Sequence, residues 1–248
     1  IASYGEAIRI NPGFSEAFYN AGNAYCQKND LNQALTCYES AITLNSSYIN
    51  AHLNMGIVGF DLGLYLKAVE SFERVLILDP THAEAYFNKG IIVYQQKIYP
   101  QAIELFSRAI EIDPMYGKAY LYRGKSYFFQ SDLKSAEFDF QSAQVDKETE
   151  YDSWLELGML YVRKKEFDKG LKFLNQCVQK NDTNQIVLLS RASALFEMEN
   201  YRASIVDCNK ILHKNQTRWE AYLIKSKNYL ILDNTDSCKI NLDYARNY

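Results

Sequence analysis

Residues 83–116 read AEAYFNKGIIVYQQKIYPQAIELFSRAIEIDPMY, and their pattern of apolar residues indicates the fold class. Its apolar residues recur at three- and four-residue intervals, which is the spacing of one face of an α-helix. The spacing predicts one helix over 83–96 and a second over 100–112. Pro100 suits the first turn of the second helix, because the N–H that proline lacks is not needed there. The stretch therefore predicts a hairpin of two amphipathic helices.

The same pattern recurs along the chain with a shift of 34 residues. One position holds a glycine in five successive frames: Gly22, Gly56, Gly90, Gly124 and Gly158. A second position holds the small residues Ala34, Ala68, Ala102, Ala136 and Gly170. A third position holds the large residues Tyr38, Phe72, Phe106, Phe140 and Leu174. An uninterrupted period of this length indicates stacked helical hairpins, in which small residues permit close helix crossings and large ones fill the space between hairpins.

Short polar residues occupy the turn inside several of these frames. Asp30, Asp132, Asn200 and Asn234 each stand at the expected start of a second helix. Such side chains accept hydrogen bonds from the first free N–H groups of a helix, so we expect them to be N-caps.

The pattern resembles the tetratricopeptide repeat, in which an aromatic residue, Leu-Gly, Tyr, Ala, Phe and Pro follow one another within one period. The first full frame carries this signature as Phe18, Gly22, Tyr25, Ala34, Tyr38 and Ala41. The resemblance extends over essentially the whole chain. It implies an all-α, right-handed solenoid of stacked antiparallel helical hairpins, whose first helices line a concave groove.

The frames divide the chain into three parts. Residues 1–14 correspond to the second half of a truncated repeat, and residues 15–184 to five regular repeats that begin at 15, 49, 83, 117 and 151. Residues 185–248 correspond to two degenerate repeats, in which Ala192 and Ser226 stand at the glycine position.

Both ends of the array carry apolar residues that no neighbouring helix would cover. They are Tyr4 and Ile8 at the start and Leu242, Tyr244 and Tyr248 at the end. Solenoids normally have polar capping elements. We therefore expect that the parent chain continues in both directions or that other subunits cover these ends.

Composition disfavours several classes of function. Hydrophobic residues make up 48% of the chain and its formal net charge is -3, with no run of Lys or Arg of the kind that binds nucleic acid. The sequence also predicts no membrane insertion, because no apolar run approaches the length of a span. The five cysteines include no C-x-x-C pair, so we expect a reducing, cytoplasmic setting, with a ciliary or other large complex also compatible.

No motif in the sequence points to catalysis or to a cofactor. Gly124-Lys125-Ser126 ends like a phosphate-binding loop, but Ala119 stands where that loop needs its first glycine. The three histidines, His52, His82 and His213, are far apart, and His52 occupies a packing position of its frame. Cys177, Cys208 and Cys238 fall at small or core positions and are interpreted as buried apolar residues. We expect a protein that is not an enzyme and has no cofactor and no metal.

The resemblance places the site of partner binding on the first helices. Asn20, Asn54 and Asn88 occupy one groove-facing position of three successive repeats. A side-chain amide offers both a donor and an acceptor, the pair needed to hold a peptide backbone. The remaining candidate groove residues are Asn23, Tyr19, Leu53, Ile57, Phe87, Ile91, Tyr94 and Tyr122. The sequence thus predicts a scaffold that binds a peptide or helix of another protein within a larger assembly.

Two alternatives remain beside the scaffold. The asparagine series also resembles the substrate-recognition arm of O-GlcNAc transferase, so the chain could be one arm of a larger enzyme. A co-chaperone clamp for a C-terminal carboxylate is the other, since Asn88 and Lys118 match two of its five positions. Leu53 and Ile57, however, stand where that clamp has Lys and Asn, and Tyr122 replaces its Arg. The lost cations disfavour the clamp, because charge-assisted bonds hold the carboxylate.

Overall fold

The computed structural model describes residues 2–247, and the part of the chain that it describes consists of helices joined by short turns. The helices of the first half are α1 (Ala2–Ile10), α2 (Ser15–Gln27), α3 (Leu31–Leu44), α4 (Ile49–Asp61), α5 (Tyr65–Leu78), α6 (Ala83–Gln95), α7 (Tyr99–Ile112) and α8 (Gly117–Phe129). Those of the second half are α9 (Leu133–Ser142), α10 (Glu150–Arg163), α11 (Phe167–Lys180), α12 (Gln185–Glu197), α13 (Tyr201–Lys214), α14 (Trp219–Ile231) and α15 (Thr235–Asn247). A short 3-10 helix, Ala143–Val145, follows α9. Tyr248, one of the expected uncovered residues, lies outside the described residues.

The helices form two compact units, Ile1–Gln130 and Ser131–Tyr248. In the first unit, α2 packs on α3, α4 on α5 and α6 on α7, and each second helix also packs on the first helix of the next hairpin. In the second unit, α10 and α11, α12 and α13, and α14 and α15 form hairpins that pack in the same succession. The all-α solenoid architecture predicted by the repeat is confirmed.

The turn between the two helices of each frame has one left-handed residue. The residues with positive φ recur at the repeat interval and are Asn29, Gly63, Lys97, Ser131, Lys165, Glu199 and Asp233. One residue at φ near +60° reverses the chain within a few residues. Only Gly63 adopts this conformation at no steric cost, and the other residues adopt it within the turn between two helices.

The predicted caps are confirmed at the residues that follow these turns. Asp30 accepts a hydrogen bond from the backbone N–H of Gln33, and Asn200 accepts one from Ala203. Asp132 and Asn234 accept in the same way from the third residue after them. The second helices therefore begin where the sequence places their caps.

The repeated glycine lets a large side chain of the second helix pack directly against the backbone of the first. A Cβ added to Gly56 would lie 2.5 Å from the ring of Phe72, and one added to Gly90 would lie 2.6 Å from that of Phe106. Real Cβ atoms do not approach this closely, so even a methyl group would displace the ring. Both rings are fully buried. The glycine and the ring are therefore one steric unit within each hairpin.

In the sixth frame, a different pair of residues allows the two helices to pack closely. Ala192 stands at the glycine position and Cys208 at the ring position, and both are completely buried. The methyl group gained on one helix faces a much smaller side chain on the other. The two positions thus vary together in volume, which is how a packed interior tolerates substitution.

The glycine–ring contact is tested by two substitutions in one helix. Gly56→Ala should lower the free energy of unfolding by about 1–3 kcal/mol, because its methyl group would overlap the Phe72 ring. Gly59→Ala is the matched control, since its Cβ would lie 3.5 Å from the nearest atom, the backbone nitrogen of Ala68. That change should stabilise the protein by about 0.5–1 kcal/mol through helix propensity. Urea denaturation followed by circular dichroism measures both.

A double-mutant cycle separates the contact from other effects of Gly56→Ala. In a Phe72→Cys background, which copies the Ala192–Cys208 pair, adding Gly56→Ala should cost at least about 1 kcal/mol less than in the wild type. Equal costs in the two backgrounds would show that the glycine serves some purpose other than accommodating the ring.

Candidate peptide-binding site on the first helices

The candidate groove residues lie on α2, α4, α6 and α8, all within the first compact unit. These are the first helices of successive hairpins, and α4 packs on α6 and α6 on α8. Their surroundings differ from one repeat to the next, although their positions in the repeat are equivalent. The side chains fall into a polar group on α2 and α4 and an aromatic group on α6 and α8.

The polar group is a hydrogen-bonded network centred on Asn23. Its Oδ1 accepts one bond from the Tyr38 hydroxyl at 2.7 Å and another from Asn54 Nδ2 at 2.9 Å. Asn54 Nδ2 also lies 3.4 Å from the Tyr19 hydroxyl. Burial, the largest cause, raises the pKa of Tyr38, so its hydroxyl keeps its proton and remains a donor. Asn54 is therefore partly engaged in joining one repeat to the next.

The other two asparagines of the series differ from Asn54 and from each other. Asn20 is exposed to solvent. Asn88 is half-buried, and its Nδ2 is sheltered from solvent without a hydrogen-bond partner among the described residues. A buried amide without an acceptor costs about 1–3 kcal/mol. Among the three asparagines, Asn88 is thus the one with a buried, unsatisfied hydrogen-bond donor in the described structure.

The aromatic group forms a continuous cluster around Tyr122. Its ring centroid lies 5.8 Å from that of Phe87 and 5.4 Å from that of Tyr94. Tyr94 in turn contacts Tyr99 at 5.8 Å, and Tyr99 stacks on Phe129 at 5.2 Å. The cluster therefore runs from the core of the hairpin to Phe129, which is exposed. An apolar surface with hydroxyl groups at its edge suits an amphipathic peptide.

The aliphatic candidates divide into core and surface. Leu53 is buried in a cluster with Phe72 and Ala85, so it holds two hairpins together. Phe87 is likewise buried, packed against Phe106 and Ala119. Ile57 and Ile91 are half-buried. Of the other predicted residues, Asn20 is exposed and the rest are half-buried: Tyr19, Asn23, Asn54, Asn88, Tyr94 and Tyr122.

The sequence did not identify three residues that contact the candidate groove residues or extend their aromatic cluster. Tyr38 was assigned to packing alone, yet its hydroxyl fixes the Asn23 side chain. Tyr99 and Phe129 were not singled out, although they extend the aromatic cluster to the surface. A signal was present for Tyr99, since Tyr65 and Tyr201 occupy the same position in other frames and contact Phe60 and Phe196 in the same way.

Two of the three cysteines that were expected to be buried are so, whereas Cys238, in the last helix of the array, is half-buried. Cys177 and Cys208 are completely buried. Burial raises the pKa of the Cys177 thiol to about 11 and that of Cys208 to about 12. A thiol with such a pKa is not a thiolate at neutral pH and is unreactive. Within residues 2–247, no group of three His, Cys, Asp or Glu side chains could hold a metal ion.

His52 is a buried histidine in the packing position that the sequence assigns to it. It is 6% exposed, and its Nε2 donates to the carbonyl oxygen of Ser46 at 3.1 Å. Its Nδ1 is buried and has no partner within the described chain. Burial, followed by the nearby Arg74, lowers the pKa of His52, while the Ser46 carbonyl opposes this shift. The folded protein therefore holds this imidazole neutral.

Hairpins packed closely at a small residue and repeated at a fixed interval define a helical-repeat protein that presents surfaces for binding. A profile described as "TPR repeat" matches residues 22–63, and profiles described as "Tetratricopeptide repeat" match residues 53–117, 3–36 and 151–181. The chain belongs to the tetratricopeptide repeat family. Members of this family typically act as non-enzymatic scaffolds for other proteins.

Solved structures show the same fold at low sequence identity. YrrB, described as a TPR protein with an unusual peptide-binding site, has a TM-score of 0.59 and 22% identity over 75% of this chain and 95% of its own. PilW, a type IV pilus biogenesis factor, has a TM-score of 0.74 and 18% identity over 85% of this chain and 97% of its own. A chain of the APC/C hetero-tetramer Cut9–Hcn1 has a TM-score of 0.76 and 16% identity. The match covers 92% of this chain and 45% of that one.

These identities are low enough that the likeness concerns the fold alone. No curated protein sequence matches the chain significantly. Among the described residues, no helix is both long enough and apolar enough to cross a membrane.

The environment of His52 predicts that the protein loses stability in acid. The pKa of His52 is lowered on folding, so the unfolded chain binds the proton more readily, and stability falls as the pH drops through about 6.5, the unfolded value. His52→Phe should remove this component, since Phe18 fills the same position of the preceding frame. Urea denaturation between about pH 7.5 and 5.5 measures the effect, given the range over which histidine titrates.

Asn32→Gln is the matched control, because Asn32 is exposed and its side chain does not titrate. It should keep the acid loss of the wild type, since it retains His52. An identical acid loss in wild type and in His52→Phe would assign the loss to other groups.

Proposed function

We propose that the chain is a protein-interaction scaffold that holds an extended peptide of a partner along the first helices of its N-terminal unit. The proposal rests on Asn88, whose Nδ2 has no acceptor among residues 2–247. A change of rotamer would bring this half-buried amide to the surface, where a peptide carbonyl would accept the bond. Asn20 lies at the equivalent position two repeats earlier and is exposed, so it offers the same donor and acceptor.

The neighbouring surface supplies contacts that distinguish one peptide from another. Ile57 and Ile91 follow the asparagine position by three residues in successive repeats and are half-buried. Tyr94 and Tyr122 form an edge-to-face pair beside them. Burying an apolar anchor against such side chains contributes about 25 cal/mol per Å². The asparagines would thus bind the backbone of the peptide, and apolar residues nearby on the first helices would select among its side chains.

Asn54 has a different role in this proposal. Its Nδ2 donates to Asn23, so it orients the repeats that carry the other two asparagines. The peptide-binding site named for YrrB is a property of that protein, and it makes peptides a reasonable class of probe for this one. The free cysteines are compatible with a reducing, cytoplasmic setting, where we propose that the scaffold acts within a larger assembly.

The test of this function compares two faces of the same unit. A peptide is first selected from a random display library against the wild-type protein. Replacing Asn20, Asn54 and Asn88 together by alanine should weaken its binding by about tenfold or more, the effect of losing hydrogen bonds worth about 1.4 kcal/mol in total. Isothermal titration calorimetry measures the affinities.

The matched control replaces three exposed residues of the second helices, Asn32, Glu70 and Gln101, by alanine. It should bind the peptide as the wild type does. Asn54→Ala alone measures the structural share of the triple change, through its thermal melting temperature. Full binding by the triple variant, with loss in the control, would place the partner on the second helices instead.

A further inference from the structure

A second surface, distinct from the first-helix face, lies along α13 in the C-terminal unit. A groove of about 490 Å³ runs between this helix and the loop that precedes α12. Lys210, His213 and Lys214 line one side, Asp182 lines the other, and Val206 and Asn209 complete it. A volume of this size lies within the range of ligand-binding clefts.

The same groove exists in the first full repeat, and the comparison shows what is particular to α13. In that repeat it has about 310 Å³ and is lined by Ser40, Thr43 and Leu44, which occupy the positions of Lys210, His213 and Lys214. Glu39 stands there in place of Asn209. The cleft therefore recurs where one hairpin stacks on the next. Single cations occur at these positions in other repeats, as Arg74, Arg108 and Lys180, but only α13 has a lysine at both.

The charge of α13 is strongly positive on its accessible side, although the whole chain has a formal net charge of -3. The helix carries Arg202, Lys210 and Lys214, and its acidic residue is Asp207. Asp207 is 1% exposed and is bonded by Arg191 through Nε at 2.7 Å and Nη2 at 2.6 Å. Since this carboxylate is buried and neutralised, it does not offset the exposed cations.

Helix electrostatics explain only part of this arrangement. A cation in the last turn of a helix, here Lys214, is favoured by the negative end of its dipole. Lys210 lies one turn earlier and faces Asp182 at 3.8 Å, a separation too long for a tight hydrogen-bonded pair. This exposed ion pair is weak, so Lys210 can exchange Asp182 for another carboxylate, and the exposed side chain of Val206 lines the same groove.

We propose that the α13 groove binds an acidic segment of a partner protein. Lys210 and Lys214 would pair with carboxylates or phosphate groups of the segment, and Val206 would contact an apolar residue between them. Charge complementarity selects this occupant, because a groove with exposed cations attracts and orients an anionic chain. The Val206 side chain and the carboxylate of Asp182 favour a mixed acidic and apolar peptide over nucleic acid, whose backbone presents phosphate at every step.

The experiment uses the whole chain and a fluorescein-labelled peptide of alternating Glu and Leu, about ten residues long, matched to an extended segment in one groove. Fluorescence anisotropy should show saturable binding in about 50 mM salt that weakens as salt is added. Lys210→Glu with Lys214→Glu should weaken binding by at least about tenfold. Should that variant fail to fold, Lys210→Gln with Lys214→Gln should give a smaller loss in the same direction.

The matched control is Lys134→Glu with Lys147→Glu, which makes the same change of charge at exposed sites of the same unit. It should bind the peptide as the wild type does. The triple alanine variant of Asn20, Asn54 and Asn88 should also bind it normally, so that this proposal and the proposed function fail independently.

Three results would overturn the proposal. The first is the absence of binding up to about 1 mM peptide, the weakest affinity at which a specific site is recognisable. The second is that the variant with Glu at Lys210 and Lys214 binds the peptide as tightly as the wild type does, or that a peptide with Gln in place of Glu binds as tightly as the Glu peptide. The third is a single-stranded RNA of equal length that binds more tightly through the same lysines, since the occupant would then be nucleic acid.

Discussion

The contact between a glycine of one helix and a large buried side chain of the next is the constraint on which the hairpins depend. Where Tyr38, Phe72 or Phe106 packs against its glycine, no Cβ can be accommodated. The contact fixes how closely the two helices of a hairpin approach, and hence which residues of the first helix remain on its outer side. Ala192 with Cys208 shows that the constraint is one of combined volume rather than of glycine itself.

The sequence predicts the fold well because this constraint is periodic. Each frame contributes the same small and large residues, so the helix pairs follow from spacing alone, and Asp30 and Asp132 mark helix starts by local chemistry. The left-handed turn residues were not predicted in the same way. Gly63 is a recognisable signal, but Lys97, Lys165 and Glu199 have no intrinsic preference for positive φ, and tertiary packing determines their conformation.

The candidate site is less predictable, because equivalent positions do not imply equivalent partners. Asn20, Asn54 and Asn88 are indistinguishable in the sequence, yet one is exposed, one joins two repeats and one has a sheltered donor without an acceptor. The difference arises from neighbours such as Asn23 and Tyr38, which come from other helices. The cationic groove of α13 was likewise invisible, since Lys210 and Lys214 are separated from Asp182 in the sequence and only the stacking of hairpins brings them together.

We propose that an extended peptide lies against the first helices and is held by the side-chain amides of Asn20 and Asn88. Nuclear magnetic resonance of the chain with ¹⁵N-labelled asparagine, titrated with a selected peptide, tests it directly. The side-chain amide signals of Asn20 and Asn88 should shift and slow in exchange with solvent, and that of Asn54, already bonded to Asn23, should change little. Perturbations confined to asparagines of the second helices, such as Asn32 and Asn209, with Asn20 and Asn88 unaffected, would contradict the account.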